Sequence, residues 1–124
     1  MRVLVCGDRN WTDRNLIRQA LFLILQTHQN LTVIEGGCEG ADLIAAEEAR
    51  KLGADVLEFK ADWKTYGKAA GPIRNQQMID EGQPEFALAF HPDLTKSKGT
   101  KNMLALLRKA KIPYQHLKGN NESK

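Results

Sequence analysis

The chain has 124 residues, of which 42% are hydrophobic and 27% charged, with a formal net charge of +3. That balance fits one globular domain and excludes a disordered or fibrous chain. The mild positive charge permits phosphate or nucleic acid ligands without requiring them, because a solvated lysine face gives the same sum.

The apolar run Val3–Cys6 at the start is too short for a secretory leader or a membrane span. The expectation is a cytoplasmic protein with no membrane partner. Cys6 and Cys38 lack zinc-type spacing, and His28, His91 and His116 are scattered, so neither metal nor cofactor is expected.

In chain order, RVLVC (2–6) reads as a strand. Thr12 or Asp13 can cap the helix that follows, whose Leu16, Ala20, Leu23 and Ile24 recur at helical spacing. LTVIEGG is a second strand ending at glycines. ADLIAAEEARKLG is a helix with Leu43, Ala46, Ala49 and Leu52 on its apolar side, closed by Gly53. ADVLEF is a third strand. A loop over 60–71 leads to a helix opening at Pro72, which suits a first helical position. EFALAF is a fourth strand, GTKNMLALLRKAK a helix capped by Thr100, and PYQHL a last strand. Residues 119–124 form a polar tail expected to be disordered, after a single domain over 1–118.

Strands alternating with helices predict an α/β, Rossmann-like doubly wound three-layer fold, with a mainly parallel sheet of about five strands. Ligands in such folds bind beyond the carboxyl ends of the strands, where strand order reverses. The candidate site residues therefore lie in four loops.

GDRNW places Arg9 to clamp a phosphate beside Gly7 and Asp8. Trp11 either stacks on a ligand ring or packs under the first helix. EGGCEGAD brings Gly36, Gly37 and Gly40 to a helix start that attracts anions. Glu39 and Asp42 there either stabilise the turn or, for Asp42, meet a sugar hydroxyl. In ADWKTYGKAAGPIRN, Trp63, Gly71, Pro72, Arg74 and Asn75 head for the same cleft. A cation at a positive helix end is unfavourable alone. An anion bound between them resolves the conflict, as does a salt bridge from Arg74 to Glu39, Asp42 or Asp62. SKGT, with Lys98, Gly99 and Thr100, is a further anion turn, unless its lysines only make a mobile solvated loop.

Taken together, GDRNWTD, GGCEGAD, DWKTYGKAAGPIRNQQM and KGTKNM resemble the YspA-like branch of the SLOG superfamily, in order, from Arg2 to about Leu117. The resemblance implies a Rossmann-like fold and a nucleotide-like ligand. Relatives include LOG-type phosphoribohydrolases, the single-stranded-DNA-binding core of DprA, and sensors of signals related to ADP-ribose. The chain departs from LOG enzymes: Asn75 replaces a lysine after Arg74, and Met103 stands at the place of a glutamate in the PGGxGTxxE turn. Methionine cannot face the positive charge of a ribosyl transition state.

The resemblance therefore favours binding of a nucleotide or ADP-ribose-like molecule by a sensor, carrier or sequestering domain over catalysis. The enzymatic alternative is an N-glycosidic hydrolase acting on nucleoside phosphates, with no catalytic residue assigned and Glu39, Asp42 and Arg74 as candidates. A second alternative is single-stranded nucleic acid binding. A homodimer is expected by analogy with relatives.

Overall fold

The structure, a computed structural model, describes residues 1–119. Its element order is β1 (Arg2–Gly7), α1 (Arg14–Thr27), β2 (Thr32–Glu35), α2 (Ala41–Lys51), β3 (Asp55–Glu58), α3 (Trp63–Tyr66), α4 (Ala70–Asp80), β4 (Phe86–Phe90), α5 (Gly99–Lys109) and β5 (Tyr114–Leu117). The five strands form one sheet in the order β3-β2-β1-β4-β5, and every pairing is parallel. The polar tail expected at 119–124 lies outside the described residues from position 120 onward.

Side-chain alternation along the strands builds two cores. Val3, Val5, Val33, Leu88 and Phe90 face α1 and α2, where Ile17, Leu21, Ala45 and Ala49 meet them. Leu4, Cys6, Ile34, Ala87 and Ala89 face α4 and α5, where Met78, Met103, Leu104 and Leu107 close the layer. A strand whose successive residues point to opposite faces, apolar on both, belongs in the middle of three layers.

Asp13 is the cap of α1, its carboxylate accepting from the Leu16 N–H at 3.1 Å. The buried stripe of α1 is Ile17 and Leu21, with Leu16, Ala20 and Ile24 at its margins. Leu23, expected inside, is 64% exposed. On α2 the inward residues are Ala41, Ala45, Ala46 and Ala49, and Leu43 turns outward. Both helices lie against the sheet and against each other through small or branched residues, so the phase is set by close approach rather than by the largest side chain. Gly53 closes α2 as expected, at φ +84° after the Leu52 cap.

Two boundaries differ from the sequence reading. The segment 60–71 is not a plain loop: it holds α3, capped by Asp62 accepting from the Thr65 N–H, and a 3-10 turn over Gly67–Ala69. α4 then starts at Ala70, so Pro72 is its third residue and Arg74 and Asn75 lie in its second turn. There the helix dipole has largely faded. Thr100 is not the cap of α5; it is buried within the first turn, and the Ser97 hydroxyl accepts its N–H at 2.9 Å.

Candidate functional site

From β1 the chain winds outward through β2 to β3, and β4 and β5 continue the sheet on the other side of β1. Strand order therefore reverses between β1 and β4, and a cleft of about 570 Å³ opens at their carboxyl ends. Gly7 and Phe90 are register partners at this end. A Cβ at Gly7 would collide with the Phe90 carbonyl and lie 2.8 Å from the Ala41 Cβ, so glycine is required where loop, strand and α2 converge.

The glycine turn after β2 is already satisfied by its own carboxylate. Asp42 Oδ2 accepts from the Gly36 N–H at 3.1 Å and from the Cys38 N–H at 3.4 Å. The first amide of α2, on Ala41, donates to the Asp8 carbonyl at 3.1 Å. Gly37 donates to Glu35 Oε1 at 2.6 Å. Of the two roles open to Asp42, Oδ2 takes the structural one, while Oδ1 has no partner among the described residues and the side chain lines the cleft. Burial pushes its carboxyl up to about 6, against the pull of the Cys38 amide and the Arg74 charge.

Arg74 is buried against this turn. Its Nη1 donates to the Gly36 carbonyl at 2.6 Å and reaches the Cys38 Sγ at 3.7 Å, and its Nε donates to Asn75 Oδ1 at 3.0 Å. Gly36 lies directly under the guanidinium: a Cβ there would sit 2.7 Å from Nη1. Arg74 forms no contact ion pair with Glu39, Asp42 or Asp62 among the described residues. Its Nη2 has no partner among them and is not sealed from the cleft.

Asn75 faces sideways. Its Nδ2 donates to Asn102 Oδ1 at 2.9 Å and to the Gly99 carbonyl at 3.3 Å, which ties α4 to the first turn of α5. At that turn Lys98 and Gly99 are exposed and open, and Thr100 supplies a hydroxyl. No side chain caps the helix at Lys98 itself.

Of the residues singled out from sequence, Gly7, Asp8, Arg9, Asp42, Trp63, Gly71, Pro72, Arg74, Asn75, Lys98, Gly99 and Thr100 share this one cleft. Trp63 stands at its rim, 56% exposed, over Gly71. Trp11 does not line it: the indole is buried edge-on to Phe90 at 5.6 Å, and its Nε1 donates to the Asp13 carbonyl. Gly36 lies beneath the Arg74 guanidinium, Gly37 sits beside Glu58 and Lys60 off the cleft, Gly40 packs on the backbone of Asp8 and Arg9, and Glu39 is exposed. Met103, at the expected glutamate position, is a buried floor residue.

Asn10 and Lys96, in the loops marked from sequence, also line the cleft, and so do Lys68, His91 and Asn102, which the sequence reading did not single out. His91 was findable, since it directly follows β4 at the reversal point. Its Nδ1 accepts from the Asp93 N–H at 3.0 Å. Lys68 and Asn102 carried no signal until α3 and α5 were placed. The lining holds five cations, Arg9, Lys68, Arg74, Lys96 and Lys98, against two carboxylates, Asp8 and Asp42.

Over residues 1–66 the chain matches the family model YAcAr, described as the YspA, cpYpsA-related SLOG family. It belongs to that family. This SLOG chain is 39% identical over 118 residues to the Gene 61 protein of Mycobacterium phage D29, spanning 90% of its own length and 92% of the phage protein. It is also similar to the X-ray structure of DNA processing protein A (DprA) from Streptococcus pneumoniae, with a TM-score of 0.70 at 16% identity, covering 97% of this chain and 51% of that one. The SLOG chain thus spans about half the length of that DprA, and the likeness is one of fold. Among its described residues no helix is long and apolar enough to cross a membrane.

Proposed function

We propose that this SLOG domain binds a nucleotide or ADP-ribose-like small molecule in the cleft between β1 and β4. The observation that carries this reading is the charge of the lining, five cations against two carboxylates, around an Arg74 whose Nη2 is unused. A partly desolvated guanidinium with a free donor favours a phosphate oxygen. The open first turn of α5 adds the Thr100 hydroxyl and the Lys98 ammonium as donors. Trp63 at the rim offers a face on which a base can stack. Asp42 Oδ1 is the acceptor for a ribose hydroxyl.

The domain acts as a sensor, carrier or sequestering module, in the cytoplasm, as a homodimer; sedimentation velocity measures the last point. Calorimetric titration with AMP, ADP-ribose and adenosine tests the binding. The phosphate-bearing ligands should bind at least about 10-fold more tightly than adenosine, given a charge-assisted contact. Equal affinities would defeat the reading.

A second reading is favoured by one observation, that Asp42 keeps Oδ1 unpaired among the described residues on a side chain lining the cleft. Asp42 is a cleft carboxyl raised to about 6, which is how a group exchanging protons near neutrality is built. In that reading the domain cleaves an N-glycosidic bond, with Asp42 facing the sugar carbon. Release of free base from AMP, abolished by Asp42→Asn, would establish it. Single-stranded nucleic acid binding, the reading suggested by the similarity to DprA, requires binding that falls steeply with salt.

A further inference from the structure

We infer that Asn102 is a phosphate-directed donor whose polarity is dictated by Arg74 through Asn75; the inference rests on the reading of the cleft as a phosphate site. A guanidinium can only donate. The Arg74 Nε–H, 3.0 Å from Asn75, therefore holds the Asn75 carboxamide with its oxygen toward Arg74. Its Nδ2 must then face α5, where the Gly99 carbonyl, an acceptor only, takes one N–H. The other N–H meets Asn102 at 2.9 Å, so Asn102 must turn its oxygen inward. Flipping either amide would set two N–H groups against each other, across the buried Arg74–Asn75 contact or the part-buried Asn75–Asn102 one. The Asn102 backbone N–H is spent on the Lys98 carbonyl at 3.0 Å. What remains is its Nδ2, with no partner among the described residues, on a side chain that lines the cleft.

The relay thus converts a buried arginine into a second, uncharged donor on the opposite helix. Arg74 Nη2 and Asn102 Nδ2 offer hydrogens from α4 and α5 to one bound group, and that group must accept from both. A phosphate does so; a protonated or amine-bearing group does not. Lys98, Thr100, Asp8 and Asp42 face the same space. The two carboxylates are the reason a neutral, fixed donor matters: it offers a hydrogen to phosphate without drawing Asp42 toward itself.

The test uses the whole chain, with AMP and inorganic pyrophosphate titrated calorimetrically into the wild type, Asn102→Ala, Asn102→Asp and Arg74→Ala. Asn102→Asp keeps an oxygen for the Asn75 Nδ2, so its melting temperature should stay within about 3 °C of the wild type, yet it presents a carboxylate to the ligand. Affinity for both probes should fall about 10-fold in Asn102→Ala and at least about 100-fold in Asn102→Asp, because a donor is lost in one and a repulsion added in the other. If Arg74→Ala weakens binding but both Asn102 variants bind within threefold of the wild type, the inference is overturned and the phosphate site stands. If the wild type binds neither probe, both fall. Should the aspartate variant fail to fold, the alanine variant alone decides, by the same threefold criterion.

Discussion

Glu35→Gln probes a carboxyl pair beside the glycine turn, one member buried and the other half-buried. Glu35 is fully buried, and its register partner across β2 and β3 is Glu58. Oε1 holds the Gly37 N–H at 2.6 Å, while Oε2 is sealed and meets no conventional donor. Burial, then the shared proton with Glu58, raises the Glu35 carboxyl from 4.5 to about 8, while Glu58 is held low by the same contact and by Lys60. A group that stays protonated in the fold but ionises when unfolded stabilises fully below the unfolded value. That stabilisation disappears as pH rises toward the folded one. The Glu35 displacement alone corresponds to at most about 5 kcal/mol between pH 4.5 and 8. Glu58 moves the other way and returns part of it, so the net falls below that bound. Glutamine keeps an oxygen for Gly37 and a donor for Glu58 at every pH. The variant should therefore melt within about 2 °C of the wild type at pH 5 and at least about 4 °C above it at pH 9, for a domain of this size. Thermal denaturation by circular dichroism from pH 5 to 9 measures both curves. Curves that run parallel would refute the proton-sharing pair.

Arg74→Ala should both weaken AMP binding about 10- to 100-fold and cost about 2–4 kcal/mol of stability in urea, because it strands the Gly36 carbonyl and Asn75 Oδ1. Full stability would show that those bonds are dispensable. Trp63→Ala should reduce AMP affinity about 10-fold or more by lost stacking, leave pyrophosphate binding unchanged, and shift the melting temperature little, since the ring is mostly exposed. Trp11→Phe should leave AMP affinity within about twofold, because the indole serves the core against Phe90; a large loss would return Trp11 to the site. Gly7→Ala should destabilise by about 1–3 kcal/mol in urea through its clash with the Phe90 carbonyl, and an unchanged midpoint would disprove the contact.

Much of this molecule was legible in the linear chain. Short apolar runs such as RVLVC, TVIE and FALAF, alternating with apolar stripes at helical spacing, carry their own periodicity. The parallel sheet followed from them, as did the position of the cleft beyond the strand ends. Of the residues marked from sequence that share the cleft, Arg9 and Lys98 sit in loops beyond strand ends, where topology aims them, while Arg74 reaches it from the second turn of α4.

What tertiary structure decided is each group's partner. The same spacing that put Leu23 on an apolar stripe left it in solvent, because helix phase depends on how closely α1 and α2 approach the sheet. GGCEGAD reads as an anion turn, yet its Gly36 and Cys38 amides are taken by Asp42 and its Gly37 amide by Glu35, a choice made by where α2 starts relative to β2. Arg74 reads as a ligand clamp or a salt-bridge partner. The fold gives it no ion pair among the described residues; it sets it on the Gly36 carbonyl, with one edge free, and passes its polarity through Asn75 to Asn102 on α5. Asn75 and Asn102 are 27 positions apart in sequence, and no periodicity links them. Their contact exists only because α4 and α5 pack side by side on one face of the sheet. Local propensity and topology specify elements and their ends. Which buried donor meets which acceptor is settled only by packing, since an unpaired polar group is costly in the interior and nearly free in solvent.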